Sequence, residues 1–121
     1  MQKIAYPLCA FAMACFMTAP AQAQNSRAFM SGARLLELCK TDNPYCTGYV
    51  AGVADTLSPL SEPGGPLPPK SLASFCPGQM TVKQAITAFQ KFARDNPEGL
   101  QINAGQLVGD ALHAAYPCQR K

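Results

Sequence analysis

The sequence predicts an all-α domain: a small four-helix bundle of two antiparallel helical hairpins, stapled by two disulfides and joined by a Pro/Gly-rich loop. Three observations carry this expectation. Cys46-Thr-Gly-Tyr-Val-Ala-Gly-Val-Ala-Asp55 leads into Leu57 and places Tyr49, Val50, Val53, Ala54 and Leu57 at helical spacing on one apolar face. Four of the six cysteines lie outside an apolar N-terminal leader, an even number for an exported chain. Helix-start signals recur at Ser31, Asn43-Pro44, Thr81-Val-Lys-Gln84 and Asn96-Pro97.

The chain opens with Lys3 and a nearly continuous apolar run from Ile4 to Met17. Thr18-Ala-Pro-Ala-Gln-Ala23 then supplies a helix break and a small-x-small cleavage site. This is the pattern of a secretory signal spanning residues 1–23 and cleaved after Ala23, so the mature protein is expected to be exported. A retained anchor would need about 18–20 apolar residues, and this run is short and holds Pro7. A lipoprotein with its lipid on Cys15 is the minor alternative, since Ala12-Met-Ala-Cys15 begins with Ala and is followed by Phe16.

Residues 24–30 read as a loose leader and residues 31–118 as one domain, with 119–121 a tail. Ser31 caps a first helix from Gly32, with Met30 and Leu35 placed as a hydrophobic staple. Leu35, Leu36 and Cys39 form its apolar side, and Lys40 suits its C-terminal dipole. Thr41-Asp-Asn-Pro44 is a turn, after which a second helix runs from about Tyr45 to Leu57. It reads as the central helix of the bundle. Gly48 and Gly52 lie on one side of it, where each costs an isolated helix roughly 1 kcal/mol. Close approach of a second backbone is the expected compensation.

Ser58 to Pro77 has a different character. Six prolines (59, 63, 66, 68, 69 and 77) and Gly64-Gly65 imply that neither helix nor central strand persists there. The stretch is either a stiff connector or a presented binding loop, with Leu60, Glu62, Leu67 and Lys70 as candidate partner contacts. Thr81 and Gln84 form a capping box for a third helix whose apolar face is Val82, Ala85, Ile86, Phe89, Phe92 and Ala93. Asn96 and Pro97 open a fourth helix, with Glu98 at its positive end, which carries Leu100, Ala104, Leu107, Val108, Ala111, Leu112 and Ala115 as far as Tyr116.

Each hairpin brings two cysteines together, which favours Cys39–Cys46 and Cys76–Cys118. The alternative, Cys39–Cys118 with Cys46–Cys76, would tie the hairpins to each other. In the chain-entropy account the favoured pairs stabilise by about 2.5 and about 4 kcal/mol, which matters in so small a domain. A zinc site would need tighter cysteine spacing or more than the single His113.

Several function classes are disfavoured. The formal net charge is +3, one less once Lys3 is removed, with no polybasic run, so nucleic acid and anionic membrane are not expected partners. No cofactor is implied. With the cysteines paired, no serine or threonine sits in a recognisable nucleophile elbow, and His113 lies one residue off the apolar stripe as a half-exposed helix residue. Asp55 and Asp110 are the candidate acid–base carboxylates, each equally suited to a solvent-facing or capping role. Asp55, read in the last turn of its helix, is mildly mismatched to the dipole there and calls for a basic side chain or a backbone donor. The chain does not read as an enzyme.

Cys46 to Asp55, Cys76-Pro77, Thr81 to Gln84, Asn96-Pro-Glu98, Ala104-x-x-Leu107-Val108, Ala111-Leu112 and Ala115-Tyr-Pro-Cys118 together resemble the Rap/Tai immunity family of type VI secretion. The resemblance runs from Leu35 to Cys118. It implies a periplasmic helical protein that binds and occludes a secreted peptidoglycan-cleaving amidase toxin. The matching positions are the four cysteines with Gly48, Tyr49, Gly52, Asp55, Pro97 and Leu107, all read as fold-defining. The stretch from Ser61 to Pro69 is richer in Pro and Gly than the family pattern. The alternative function is a general periplasmic stress or client-binding module with no dedicated toxin. A homodimer is a further expectation, because a short bundle often leaves an apolar face to cover.

Overall fold

Every α-helix begins where a side-chain oxygen takes a backbone amide that the first turn leaves unpaired. Ser31 Oγ accepts from Arg34 N at 3.3 Å and opens α1, Gly32–Lys40. Asn43 Oδ1 accepts from Tyr45 N at 2.9 Å and opens α2, Pro44–Ser61, with Pro44 at its first position. Thr81 and Gln84 form the expected reciprocal box ahead of α3, Val82–Asp95. Asn103 Oδ1 accepts from Gly105 N at 2.8 Å and Gln106 N at 3.3 Å, and opens α4, Ala104–Ala115. A short 3₁₀ helix, Pro97–Gln101, lies between α3 and α4.

This computed structural model describes residues 29–62, 64–66 and 74–118; the expected signal segment, most of the Pro-rich stretch and the tail lie outside them. Among the described residues there is no strand, only an isolated antiparallel bridge between Ser31 and Asn103. The disulfides are Cys39–Cys46 and Cys76–Cys118, so the cross-hairpin alternative is excluded. The first closes the turn between α1 and α2. The second joins the approach to α3 with the exit from α4, which sets those two helices antiparallel.

The centre of the bundle is α4 rather than α2. Six of the 12 residues of α4 are buried: Ala104, Leu107, Val108, Gly109, Ala111 and Leu112. In the 18-residue α2 only Cys46, Val50 and Ser61 are buried. Leu35 and Leu36 of α1, Val50 of α2, Ala85, Phe89 and Ala93 of α3, and Phe75 ahead of α3 complete the core around α4.

Two boundaries differ from the sequence reading. Helix α2 continues past Leu57 through Pro59 to Ser61. Proline removes one amide from the ladder, yet the last turn is held by Ser61 Oγ donating to Leu57 O at 2.8 Å, and Ser61 is buried. The single fourth helix expected from Asn96 is two pieces. Asn96 closes α3 instead of capping the 3₁₀ helix after it, its Nδ2 donating to Phe92 O at 2.9 Å. The break at Ile102 occurs because its carbonyl accepts from Gly32 N at 3.0 Å, while Ala104 N donates to Met30 O at 2.9 Å. Backbone pairing with the start of α1 thus competes with helix continuation, and Asn103 restarts the helix with Gln106 at its third position.

The glycine contacts are also redistributed. Gly48 and Gly52 are exposed, and a Cβ on either would meet nothing within 4 Å, so the expected backbone contact against α2 is absent. The close approach is at Gly32, where a Cβ would lie 2.5 Å from Leu107 Cδ2 and 3.2 Å from Leu100 O. Gly52→Ala is therefore expected to stabilise the domain by about 0.4–1 kcal/mol in urea unfolding. Gly32→Ala is expected to destabilise it by about 1–3 kcal/mol through overpacking. The reverse order would refute this assignment.

Candidate functional site

The Pro-rich stretch leaves α2 and returns to α3 at a tightly tied base. Phe75 N donates to Ser61 Oγ at 3.3 Å, and the same hydroxyl donates onward to Leu57 O. On the other side, Cys76 N donates to Tyr116 O at 2.9 Å, beside the Cys76–Cys118 disulfide. His113 Nδ1 lies 2.5 Å from Ser74 O. A carbonyl only accepts, so in this contact Nδ1–H is the donor. Ser74 and Phe75 are buried at this point. The base thus joins the end of α2, the end of α4 and the approach to α3.

The candidate contact residues divide at this base. Leu60 lies half-buried in the last turn of α2 and Glu62 is the exposed residue that ends the helix. Leu67 and Lys70 lie outside the described residues.

Of the candidate acid–base groups, only His113 serves as an anchor among the described residues. His113 sits one turn after Asp110 on α4, and its Nδ1 is committed to a backbone carbonyl instead of a carboxylate. Burial pushes the Asp110 carboxyl above its usual range, and the charge of His113 opposes this. Asp55 lies on an exposed part of α2, and its carboxylate makes no hydrogen bond or ion pair among the described residues. Since α2 continues beyond it, it is not in the last turn of the helix.

The positions read as fold-defining fall in unlike places. Leu107 is buried against Gly32. Tyr49 is half-buried, stacks on Tyr45 with ring centroids 6.4 Å apart, and reaches the first turn of α4 at Gly105. Its hydroxyl is pushed above its usual range by burial, opposed by the nearby Gly105 backbone amide. Pro97 opens the 3₁₀ helix and is exposed, as are Gly48 and Gly52. Asn103 was missed by the sequence reading, although Asn103-Ala-Gly-Gln106 has the same cap spacing as Thr81 to Gln84.

All four helices, both disulfides and the loop base fall within residues 31–118, and that span matches the family model of Rap1a immunity proteins. The chain belongs to this family. Membership assigns the domain a role in immunity to a toxin. No curated protein and no solved structure matches the chain. Among the described residues, no helix of this Rap1a-family domain is long and apolar enough to cross a membrane.

The ties of the loop base can be tested at two residues. Ser61→Ala leaves the buried Phe75 amide without its acceptor and is expected to cost about 1–3 kcal/mol in urea unfolding. Hydrogen exchange at Phe75 should accelerate with it. For Asp110, a folded-state pKa raised by burial means that its contribution favours the fold at low pH and is lost as pH rises through that pKa. Asp110→Asn should accordingly melt no lower than wild type at pH 7, with any gain shrinking on acidification through the carboxylate range. A lower melting temperature at pH 7 would show that attraction to His113 dominates.

Proposed function

We propose that this protein is a periplasmic immunity protein that binds a peptidoglycan-cleaving amidase toxin of type VI secretion and occludes its active-site cleft. The observation that carries the reading is the family match across residues 31–118. The leader from Lys3 to Ala23 supports export, and the two disulfides suit an oxidising compartment. Occlusion asks for a surface held in its bound shape before the partner arrives, because ordering it on contact would cost affinity. The ties at Ser61, His113 and Cys76 fix the described residues on either side of the Pro-rich stretch at the loop base, which supports this reading. Leu60, Glu62, Leu67 and Lys70 are the proposed contacts from that side. The protein acts by binding, and the reading requires no catalytic group or cofactor of its own.

The test is protection from an exported amidase. Cells producing a type VI amidase in the periplasm should survive only when this protein is exported with it. The purified oxidised protein should form a stoichiometric complex in which cell-wall hydrolysis stops. Continued lysis with no complex, or binding to many unfolded proteins instead, would overturn the proposal in favour of a client-binding module.

A further inference from the structure

The face between α2 and α3 is a furrow, and nothing in the toxin reading above assigns it a role. It consists of two depressions of about 220 and about 400 Å³ that share Val82. One begins at the loop base beside Ser58 and Phe75, and the other ends where Gln90 Nε2 donates to Cys39 O at 2.8 Å. Its apolar lining includes Ala51, Ala54, Met80 and Ile86, and Val82 is one of the few large apolar residues among those described that stay exposed, at 40 %.

The charges around this furrow are unbalanced. Asp42 and Asp55 stand toward its two ends, and Lys83 is its one cation among the described residues. Neither carboxylate makes a side-chain hydrogen bond or ion pair within the described fold. Asp55 is the sole charged residue of α2. Asp42 lies in the turn just before α2, and at a rise of 1.5 Å per residue the start of the helix at Pro44 is roughly 16 Å from Asp55 along its axis. An apolar strip bounded by two unpaired carboxylates is complementary to an apolar segment with cations on both sides of it.

We propose that the α2–α3 furrow is a docking surface for a partner segment with an apolar centre and flanking Lys or Arg side chains, one of which pairs with Asp55. This deepens the immunity reading and rests on it for the identity of the partner, a surface segment of the amidase. The furrow adjoins the loop base, so one partner covers both.

The test uses the full oxidised protein with Asp55→Lys, Val82→Glu and, as a control away from the furrow, Glu98→Lys. All three positions are exposed, and an acid at the first position of α3 suits the helix dipole, so folding is retained. Titrated against the purified amidase, Asp55→Lys and Val82→Glu are each expected to weaken binding by about ten-fold or more. The Asp55→Lys loss should shrink at high salt, and Glu98→Lys should stay within about two-fold of wild type. Wild-type affinity in both furrow variants would overturn the docking surface while leaving the immunity reading intact. If wild type itself fails to bind the amidase, the immunity reading falls. The furrow is then judged by amide shifts with an amphipathic Lys/Leu peptide. Shifts centred on Ala51, Asp55, Val82 and Ile86 support it, and shifts elsewhere or none overturn it. Light scattering that shows Val82→Glu abolishing self-association, with amidase binding unchanged, would assign the furrow to a second copy and overturn the cationic partner.

Discussion

The structure depends on how closely the start of α1 approaches the start of α4. Gly32 has no side chain, so its backbone lies against Leu100 and Leu107 while its amide donates to Ile102 O, and the Ala104 amide donates back to Met30 O. That contact ends the 3₁₀ helix, lets Asn103 restart the chain as α4 and fixes the direction in which α4 enters the core. Once α4 is placed, the remaining helices cover it. Half of its residues are buried by elements that come from every other part of the described chain. A short domain with few large side chains has little alternative, because only a fully surrounded helix removes enough apolar surface from water.

Much of this was legible in the sequence because it rests on local chemistry. Thr81 with Gln84, Asn43 with Pro44, and Ser31 each satisfy amides within three residues, and all three became helix starts. The disulfide pairing followed from hairpins that bring sequence neighbours together. The errors arose where a distant contact decided the outcome. The pairing of residues 30–32 with 102–104 split the fourth helix, and no local pattern announces a partner some seventy residues away. The extension of α2 through Pro59 rests on Ser61, whose hydroxyl also serves Phe75 from across the loop. Gly48 and Gly52 misled because spacing shows which residues share a face without showing what faces them.

The site was less legible than the fold for a related reason. Catalytic centres concentrate chemistry in a few residue types, whereas a docking surface is made from ordinary residues whose significance lies in going unpaired. Asp55 drew notice as a misfit with the dipole of its helix. Its place beside an apolar furrow could be seen only once α3 was laid against α2. The Tyr45–Tyr49 stack likewise needs coordinates to separate the half that reaches α4 from the half left in water.

The disulfides have one more consequence, which concerns how the chain is connected. Each closes a loop within its own half, over separations of 7 and 42 residues, and neither crosses the Pro-rich stretch. A single cut in that stretch would leave two covalently separate peptides, one carrying α1 and α2 and the other a ring closed around α3 and α4. They would be joined without a covalent bond, by the core around Val50, Phe89 and Leu112 and by the hydrogen bonds between residues 30–32 and 102–104. The covalent network therefore divides the protein into two halves, each keeping its own crosslink, that meet in one shared interior.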